Sequence, residues 1–347
     1  MQKGILPQQA INGLIDDGVI TQTASGQGRA GGVEGDLPPL VQPASLDLQL
    51  GTTAYRMRAS YLPGKGETIE DTLGALCLHS IDISNGAVLE TGCVYLIPLK
   101  EALALPANLS AAANPKSSTG RLDVFTRVIC DGATRFDAVP SGYHGPLYVE
   151  VAPRTFPILV RPGDRLVQLR FRSGEPQVLN TQTVSIDLKG VDDSGIVGWR
   201  ARRHSGLVDL RDIAGHKARD YWEPLTAPDG QLVLDPEEFY ILASQEAVSI
   251  PQDQAAEMAP IAPEIGEFRA HYAGFFDPGF GLDEAGGQGS RAVLEVRGRD
   301  VPFLLRHGQS VAKLVFEPLS EKPVGLYGGE GSHYQSQGLR LSKHFAL

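Results

Sequence analysis

One segment of this chain occurs twice, and the two occurrences lie 145 residues apart. Residues 150–172 read EVAPRTFPILVRPGDRLVQLRFR and residues 295–317 read EVRGRDVPFLLRHGQSVAKLVFE, and they align without a gap. The same offset aligns VLETGCVYLIPLKEALALP at 88–106 with VLDPEEFYILASQEAVSIP at 233–251. This period is far longer than that of a solenoid repeat. The sequence therefore predicts that a whole domain is duplicated, with one domain at 1–190 and the other at 191–347.

The length, net charge and cysteine content of the chain limit the number of domains and the kinds of partner that we expect. The 347 residues suffice for two domains that each have a hydrophobic core. A net charge of −10 argues against a nucleic-acid-binding protein, although a local basic pocket could still hold a small anion. Three widely spaced cysteines without a CxxC pair predict a reduced, cytoplasmic protein with no disulfide framework. We found no signal-peptide pattern and no apolar run of about 18 residues, so we expect no membrane association.

The local patterns favour strands. Short β-branched or apolar runs bounded by Pro and Gly recur in both copies, such as LDLQL, VYLIPL and RLVQLRF in the first and FYILA, AVLEV and VAKLVF in the second. Helical periodicity is scarce, with one short helix expected from about Pro7 to Asp17 and ended by Gly18. The fold class predicted is mainly β, as two tandem barrel or sandwich domains with few short helices.

A polar segment of the first copy is a candidate anion site. Residues 114–123 read NPKSSTGRLD, which places hydroxyls, a turn glycine and two cations close together. Hydroxyl and backbone N–H groups donate to phosphate oxygens, and arginine can grip two of them at once. The alternative is an ordinary polar loop, since such residues are common in loops. At the same offset, residues 261–263 are Ile, Ala and Pro, so the second copy lacks this pattern. The candidate phosphate ligands are Lys116, Ser117, Ser118 and Arg121.

The second copy has its own distinctive turn. Residues 273–281 read AGFFDPGFG, in which Asp-Pro-Gly first of all indicates a turn. A functional interpretation is that the turn backbone faces a planar base while Asp277 meets a sugar hydroxyl. The first copy offers only the looser RFDAVPSGYHG at 135–145, where we expect Asp137 to stand in the place of Asp277.

One carboxylate is repeated in both copies. Glu150 in LYVEV and Glu295 in AVLEV hold the same place in the duplicated segment. Each could face solvent, or it could point inward, where burial would raise its pKa and suit it to act as a general base. Both neighbouring faces of the strand are apolar, so alternation leaves the direction open.

The C-terminal segment is a candidate lid, and the histidines are candidate metal ligands. Residues 327–345 (YGGEGSHYQSQGLRLSKHF) could be a frayed terminus or a lid that folds over a ligand. The eight histidines have no HxxxH or HxH spacing, and the zinc nucleobase deaminase signature is absent. We therefore expect no protein-bound metal, and in particular no zinc.

Together these motifs resemble the bacterial dCTP deaminases, which share the trimeric dUTPase fold, and most closely their long, duplicated form. The motifs that carry the resemblance are QPASLDLQLG (42–51), ILPQQAINGLIDDGVI (5–20), KSSTGR (116–121), AGFFDPGFG (273–281), VLEV (293–296) and YGGEGSHYQSQG (327–338). The resemblance implies two dUTPase-like domains and a homotrimer. It also implies that the first copy supplies the phosphate cradle, and the second the base pocket, a glutamate and the lid.

The resemblance assigns roles to individual residues. Ser117, Ser118 and Arg121 match triphosphate ligands, with Lys116 where the family has arginine. Glu295, and by register Glu150, match the general base, and Asp277 matches the turn aspartate near the deoxyribose. The remaining implied substrate contacts are Phe280 in the turn and Tyr327 and Gln337 in the tail, where His333 replaces a lysine. The implied reaction is zinc-independent hydrolysis of dCTP to dUTP and ammonia, with Mg²⁺ carried by the triphosphate.

Two other functions fit the same residues. A dUTP pyrophosphatase, or a bifunctional deaminase and pyrophosphatase, would use this fold to attack the α-phosphate and release pyrophosphate. A non-catalytic nucleotide-binding regulator would fit if neither glutamate lined a pocket.

Overall fold

The structure is a computed structural model. It describes residues 2–22, 40–190, 194–260, 268–271, 274–285, 289–298, 300–328, 335 and 338–347, with backbone only at 268–271 and 284. The structural statements below concern these residues.

The described helices are short. They are α1 (Gln8–Asp16), α2 (Ile69–Leu76), α3 (Ser117–Gly120) and α4 (Ala218–Tyr221). Helix α1 follows Pro7, as predicted, and the chain leaves it at Gly18, whose φ of +72° suits glycine. Helix α2 begins with a capping box in which Thr68 and Asp71 satisfy each other's backbone N–H groups. None of the helices in the described part of the chain is long and apolar enough to cross a membrane.

Apart from a short 3-10 helix at Asp283–Ala285, strands form the rest of the described regular structure. The first copy contains β1 (Gly4–Ile5), β2 (Ile20–Gln22), β3 (Val41–Gln42), β4 (Ser45–Leu48), β5 (Thr53–Met57), β6 (Cys77–Asp82), β7 (Ala87–Leu89), β8 (Val94–Ala104), β9 (Leu109–Pro115), β10 (Val124–Cys130), β11 (Ala138–Val139), β12 (His144–Pro153), β13 (Ile158–Val160) and β14 (Val167–Ser173). The second copy contains β15 (Asn180–Ser185), β16 (Gly198–Ala201), β17 (Val208–Asp209), β18 (His216–Lys217), β19 (Trp222–Leu225), β20 (Gln231–Leu234), β21 (Phe239–Val248), β22 (Gln254–Pro260), β23 (Phe268–His271), β24 (Phe275–Phe276), β25 (Ser290–Gly298), β26 (Phe303–Arg306), β27 (Ser310–Pro318) and β28 (Phe345–Ala346).

The two copies have the same sheet order. One sheet runs β10-β12-β8-β5-β6 in the first copy and β23-β25-β21-β16-β19 in the second. Facing it, β11-β9-β14-β4 in the first copy corresponds to β24-β22-β27-β15 in the second. The register also agrees, because Glu150 pairs with Leu96 and Glu295 pairs with Ile241, each 145 residues further on. The predicted duplication and the mainly β fold are confirmed.

Apolar side chains from both sheets of each copy form its core. One cluster fills the first copy, with Leu48, Ile97 and Phe171 fully buried, and it continues into the second copy through Trp222 and Phe239. A second cluster fills the second copy around Leu242 and Leu294. Strand β15 pairs with β27 of the second copy, so strand pairing groups residues 180–185 with that copy. The domain boundary at residue 190 stays a prediction.

Charged pairs join the two copies. Arg172 donates to Glu317 at 2.8 and 2.5 Å, and these residues occupy equivalent positions, 145 apart. Asp123 of the first copy accepts a hydrogen bond from Arg297 of the second, and both are buried. Strand β17 of the second copy also pairs with β13 of the first. These charged pairs accompany apolar contacts across the same interface, where Phe156 of the first copy packs against Trp222 of the second. Residues from both copies can therefore line one site.

Candidate active site

Glu295 is buried in the middle of its sheet. Strand β25 lies between β21 and β23, and almost every residue of the strand is buried, so Glu295 does not face solvent. The Glu295 residue is 5% exposed. Burial raises the pKa of its carboxyl to about 8, and the Arg121 cation opposes part of that rise. A carboxyl with a pKa near neutrality suits general base catalysis.

Arg121 reaches this carboxylate from the other copy. It follows helix α3, and its Nε lies 3.8 Å from Glu295 Oε1. Its Nη1 donates to the carbonyl of Arg340 at 3.1 Å, and the residue is 3% exposed. We predicted Arg121 as a phosphate ligand, and the structure places its guanidinium beside the candidate base. Because Arg121 and Glu295 belong to different copies, one chain brings both halves of the site together.

The predicted phosphate cradle is the segment around α3. Lys116 is partly exposed, and its Nζ lies 2.5 Å from both carboxylate oxygens of the buried Asp47. Ser117 is half-buried, whereas Ser118 is buried and its carbonyl accepts a hydrogen bond from Ser342 Oγ at 2.8 Å. The first N–H groups of a helix have no partner within it. The N–H groups of Thr119 and Gly120 donate to the Lys116 carbonyl. Lys116, Ser117 and the N–H groups of Ser117 and Ser118 are therefore the members of the cradle best placed for an anion.

The turn of the second copy is held by a buried cation. Asp277 accepts a hydrogen bond from Arg170 Nη2 at 3.0 Å, and the Arg170 guanidinium lies 4.0 Å from the centre of the Phe275 ring. Burial raises the pKa of the Asp277 carboxyl, and the Arg170 cation opposes this. Arg170 belongs to the first copy, so the predicted turn aspartate anchors the turn across the interface. Its contact with a sugar stays a prediction.

Aromatic rings extend from the turn to the tail. Phe280 is 5% exposed and lies 5.5 Å from the ring of Tyr327, centre to centre. The N–H of Tyr327 donates to Pro278 O at 2.8 Å, which ties the start of the tail to the turn. Gly279 has a φ of +91°, and a Cβ there would clash with Leu326, so the DPGF turn requires glycine at this position. The predicted residues Phe280 and Tyr327 are therefore neighbours.

The proposed counterpart of Asp277 in the first copy is wrong. The N–H of Ala113 donates to Asp137 O, and at the equivalent position Met258 N donates to Gly274 O. Asp137 thus corresponds to Gly274. The residue that takes the place of Asp277 is Pro140, because Tyr143 N donates to Pro140 O just as Phe280 N donates to Asp277 O. The offset is 137 in this turn because the loops on either side of it differ in length, which sequence comparison alone did not reveal.

Glu150 has different surroundings from Glu295. It is 3% exposed, and burial raises the pKa of its carboxyl. A hydrogen bond with the Ser60 side chain and the Arg127 cation both lower that pKa. All three residues lie in the first copy, so this carboxylate is enclosed by its own domain. The two glutamates share a register but differ in which part of the chain they face.

Some site residues were not predicted. Gln335 donates to Gly279 O at 3.2 Å and accepts from Gly281 N at 3.0 Å, so it binds the turn from the tail. Burial lowers the pKa of the Lys343 ammonium group, and nearby Lys116 lowers it further, so this lysine lies near the cradle. The composition of the tail gave no signal for either role.

Some of the predicted residues cannot be placed. Gln337, His333 and the second-copy residues 261–263 lie outside the described residues. Among the described residues there is no group of three or more His, Cys, Asp or Glu that could hold a metal ion.

Comparison with known proteins identifies the family. A family model for the N-terminal domain of 2'-deoxycytidine 5'-triphosphate deaminase matches residues 2–175, and one for the C-terminal domain matches residues 164–345. The chain belongs to the dCTP deaminase family. A crystal structure of 2'-deoxycytidine 5'-triphosphate deaminase from Agrobacterium tumefaciens is 52% identical, with a TM-score of 0.84. That alignment covers 92% of this chain and 100% of the other, so it spans both copies and confirms the dUTPase-like fold class.

More distant members of the dCTP deaminase family match parts of the chain. A "dCTP deaminase, dUMP-forming" from Methanobrevibacter smithii is 29% identical over 151 residues, which are 42% of this chain and 71% of the relative. A protein of the same description from Kocuria rhizophila is 35% identical over 117 residues, 32% of this chain and 56% of the relative. A "dCTP deaminase" from Haloarcula marismortui is 29% identical over 136 residues, 38% of this chain and 65% of the relative.

Proposed function

We propose that this protein hydrolytically deaminates dCTP. The observation that carries the proposal is the buried pair of Glu295 and Arg121, in which the two copies contribute a carboxyl with a pKa of about 8 and a cation 3.8 Å from it. This pair lies beside the phosphate cradle that begins at Lys116, in a chain of the dCTP deaminase family. A buried base whose pKa is raised by its surroundings argues for an enzyme over a non-catalytic regulator.

The reaction is a substitution at C4 of cytosine. Glu295 in its ionised form takes a proton from a water molecule, whose oxygen then bonds to C4. Glu295 passes that proton to N3, and the proton of the new C4 hydroxyl passes to the amino group. The C4–N bond then breaks, ammonia leaves, and C4 keeps the oxygen as the carbonyl of uracil. Arg121 holds the carboxylate in place and favours its ionised form, because an adjacent cation lowers a carboxyl pKa. A positioned general base of this kind contributes about 10²–10⁴ in rate.

The triphosphate would bind at the cradle of the first copy. Lys116 and Ser117 are the partly exposed donors there, and Mg²⁺ would enter with the triphosphate as part of the substrate. The nucleoside would extend toward the turn of the second copy, where Phe280 and Tyr327 form an aromatic wall. Asp277 fixes the turn through Arg170, and we retain its contact with the deoxyribose as part of the proposal.

We propose dUTP as the product, and dUMP is the second candidate. The printed names of two of the relatives above describe them as dUMP-forming, which favours a bifunctional enzyme that also releases pyrophosphate. Incubation with dCTP and Mg²⁺, followed by measurement of ammonia, dUTP, dUMP and pyrophosphate, separates the candidates. Ammonia with dUTP supports deamination alone, and ammonia with dUMP and pyrophosphate supports the bifunctional enzyme. Pyrophosphate release from dUTP without ammonia release from dCTP would refute deamination.

Assembly and location are further parts of the proposal. A homotrimer is the simplest way for a two-copy chain to satisfy the threefold symmetry of this fold, and light scattering that gives a single-chain mass would refute it. The proposed partner is the nucleotide, with no nucleic acid or membrane. We keep the cytoplasm as the proposed compartment because all three cysteines are free.

A further inference from the structure

The last residues of the chain are anchored by strand pairing and by aromatic packing. Residues 339–346 form a segment that we call the C-terminal strap. Its strand β28 pairs in parallel with β18, and Phe345 is 7% exposed. The Phe345 ring lies 5.2 Å from Tyr221, 5.7 Å from Trp222 and 6.1 Å from Phe156, centre to centre. A buried aromatic cluster of this kind fixes the strap in place.

The middle of the strap contacts the cradle. Ser342 is buried, and its hydroxyl donates to the carbonyl of Ser118 at 2.8 Å. His344 Nδ1 lies 2.9 Å from Ser342 Oγ, and its Nε2 lies 3.1 Å from Leu210 O. Burial lowers the pKa of His344 to about 4, so this side chain is neutral near pH 7. Ser342 therefore holds the strap against helix α3 at a defined point.

The first residues of the strap contact the candidate catalytic pair, Arg121 and Glu295. The Arg340 carbonyl accepts from Arg121 Nη1 at 3.1 Å, and Arg121 Nε lies 3.8 Å from Glu295 Oε1. A guanidinium is planar and rigid, so a hydrogen bond at Nη1 also fixes the direction of Nε. The orientation of Arg121 thus depends on a backbone carbonyl from the far end of the chain.

We propose that the C-terminal strap positions Arg121 for the deamination, with Arg340 acting through its carbonyl and Ser342 and Phe345 holding that carbonyl in place. The inference rests on the proposed function and adds positioning residues to it. The strap contains residues 339–345 of the segment that was expected to be either a frayed terminus or a lid, and here these residues form a fixed wall of the site.

Truncation of the chain after Gly338 removes the strap, and deletion of Leu347 alone is the matched control, since Leu347 is 79% exposed. We expect truncation to lower kcat/KM for dCTP about 10- to 150-fold, as expected for losing one hydrogen bond to a charged group. In Phe345→Ala, which keeps Lys343 and Ser342, KM should change less than kcat, because the residues of the cradle remain. The acid limb of the pH profile should move to higher pH, because a displaced cation no longer lowers the pKa of Glu295.

Single substitutions in the strap test the same proposal if the truncated chain fails to fold. Ser342→Ala and Phe345→Ala should shift the acid limb in the same direction, and Ser342→Thr should restore it. In an Arg121→Ala background the strap variants should cause no further loss, because residues that act through one another are not additive. An unchanged pH profile in folded strap variants, or full additivity with Arg121→Ala, would overturn the proposal.

A measurement without turnover separates this proposal from the proposed function. Infrared titration of the buried carboxyl, assigned by its absence in Glu295→Gln, should give a higher pKa in Phe345→Ala than in the unaltered chain. If the pKa moves but no variant releases ammonia from dCTP, the function is wrong and the positioning is right. If the unaltered chain is active and the pKa does not move, the function stands and the positioning fails.

Discussion

Replacing Glu295 with Gln should abolish deamination and stabilise the protein at alkaline pH. Burial raises the pKa of this carboxyl from 4.5 to about 8. Each unit of pKa difference between folded and unfolded states corresponds to about 1.4 kcal/mol, so ionising Glu295 in the folded protein costs on the order of 5 kcal/mol. The site tolerates this cost because the ionised form is the one that can accept a proton.

The sign of the pH dependence follows from the raised pKa. Below pH 4.5 both states carry the proton, and the full stability is present. As pH rises from 4.5 to about 8, the unfolded state loses its proton first, so the free energy of unfolding falls. Glutamine has the same shape and no such proton, so Glu295→Gln should lack this fall and exceed the unaltered protein by several kcal/mol at pH 9.

Denaturant unfolding at pH 5 and pH 9, with ammonia release from dCTP measured alongside, tests both effects. Glu150→Gln is the matched control, since Glu150 holds the same register in the first copy but is bonded to Ser60. It should keep deamination. An active Glu295→Gln with an inactive Glu150→Gln would reverse the roles of the two copies. Unfolding curves for Glu295→Gln with the same pH dependence as the unaltered chain would refute the argument from burial.

Three further changes test the surroundings of the site. Ser117→Ala should weaken dCTP binding about 10- to 150-fold by removing a donor to the phosphates, measured by calorimetry, and unchanged affinity would remove Ser117 from the cradle. Arg170→Met should destabilise the protein by about 3–5 kcal/mol because it leaves the buried Asp277 carboxylate without its cation, and adding Asp277→Asn should recover part of that loss in thermal unfolding. Glu101→Gln should raise stability at pH 9 and not at pH 4, because burial raises the Glu101 pKa to about 7; equal effects at both pH values would contradict this.

The strands were predictable from the sequence because their signals are local. Apolar runs bounded by Pro and Gly became β8, β12 and β14 in the first copy and their partners in the second. The duplication added long-range information, because a register that holds for one copy must hold for the other. From the sequence alone, the offset placed Glu150 and Glu295 at equivalent positions, and the strand pairing agrees.

The neighbours of the site residues were not predictable in the same way. Nothing in the composition around Arg170 indicates that it meets Asp277, because that pair forms only when the two copies pack together. The burial of Glu295 was also not predictable, because both faces of strand β25 are covered by other parts of the chain, and alternation within one strand does not show this. The correspondence of Asp277 with Pro140 was missed because unequal loops changed the offset locally.

The comparison of the two glutamates indicates how one duplicated strand can acquire two roles. Strand pairing fixes where each carboxylate lies, and the residues that face it decide what it can do. Glu295 faces Arg121, which belongs to the other copy. Arg121 is the last residue of the KSSTGR motif, which only the first copy carries in its sequence. Glu150 instead interacts with Ser60 and Arg127 of its own copy. The sequence carries one phosphate-cradle pattern and two glutamates in the same register, so that cradle pairs with Glu295, the glutamate that Arg121 approaches across the interface between the copies.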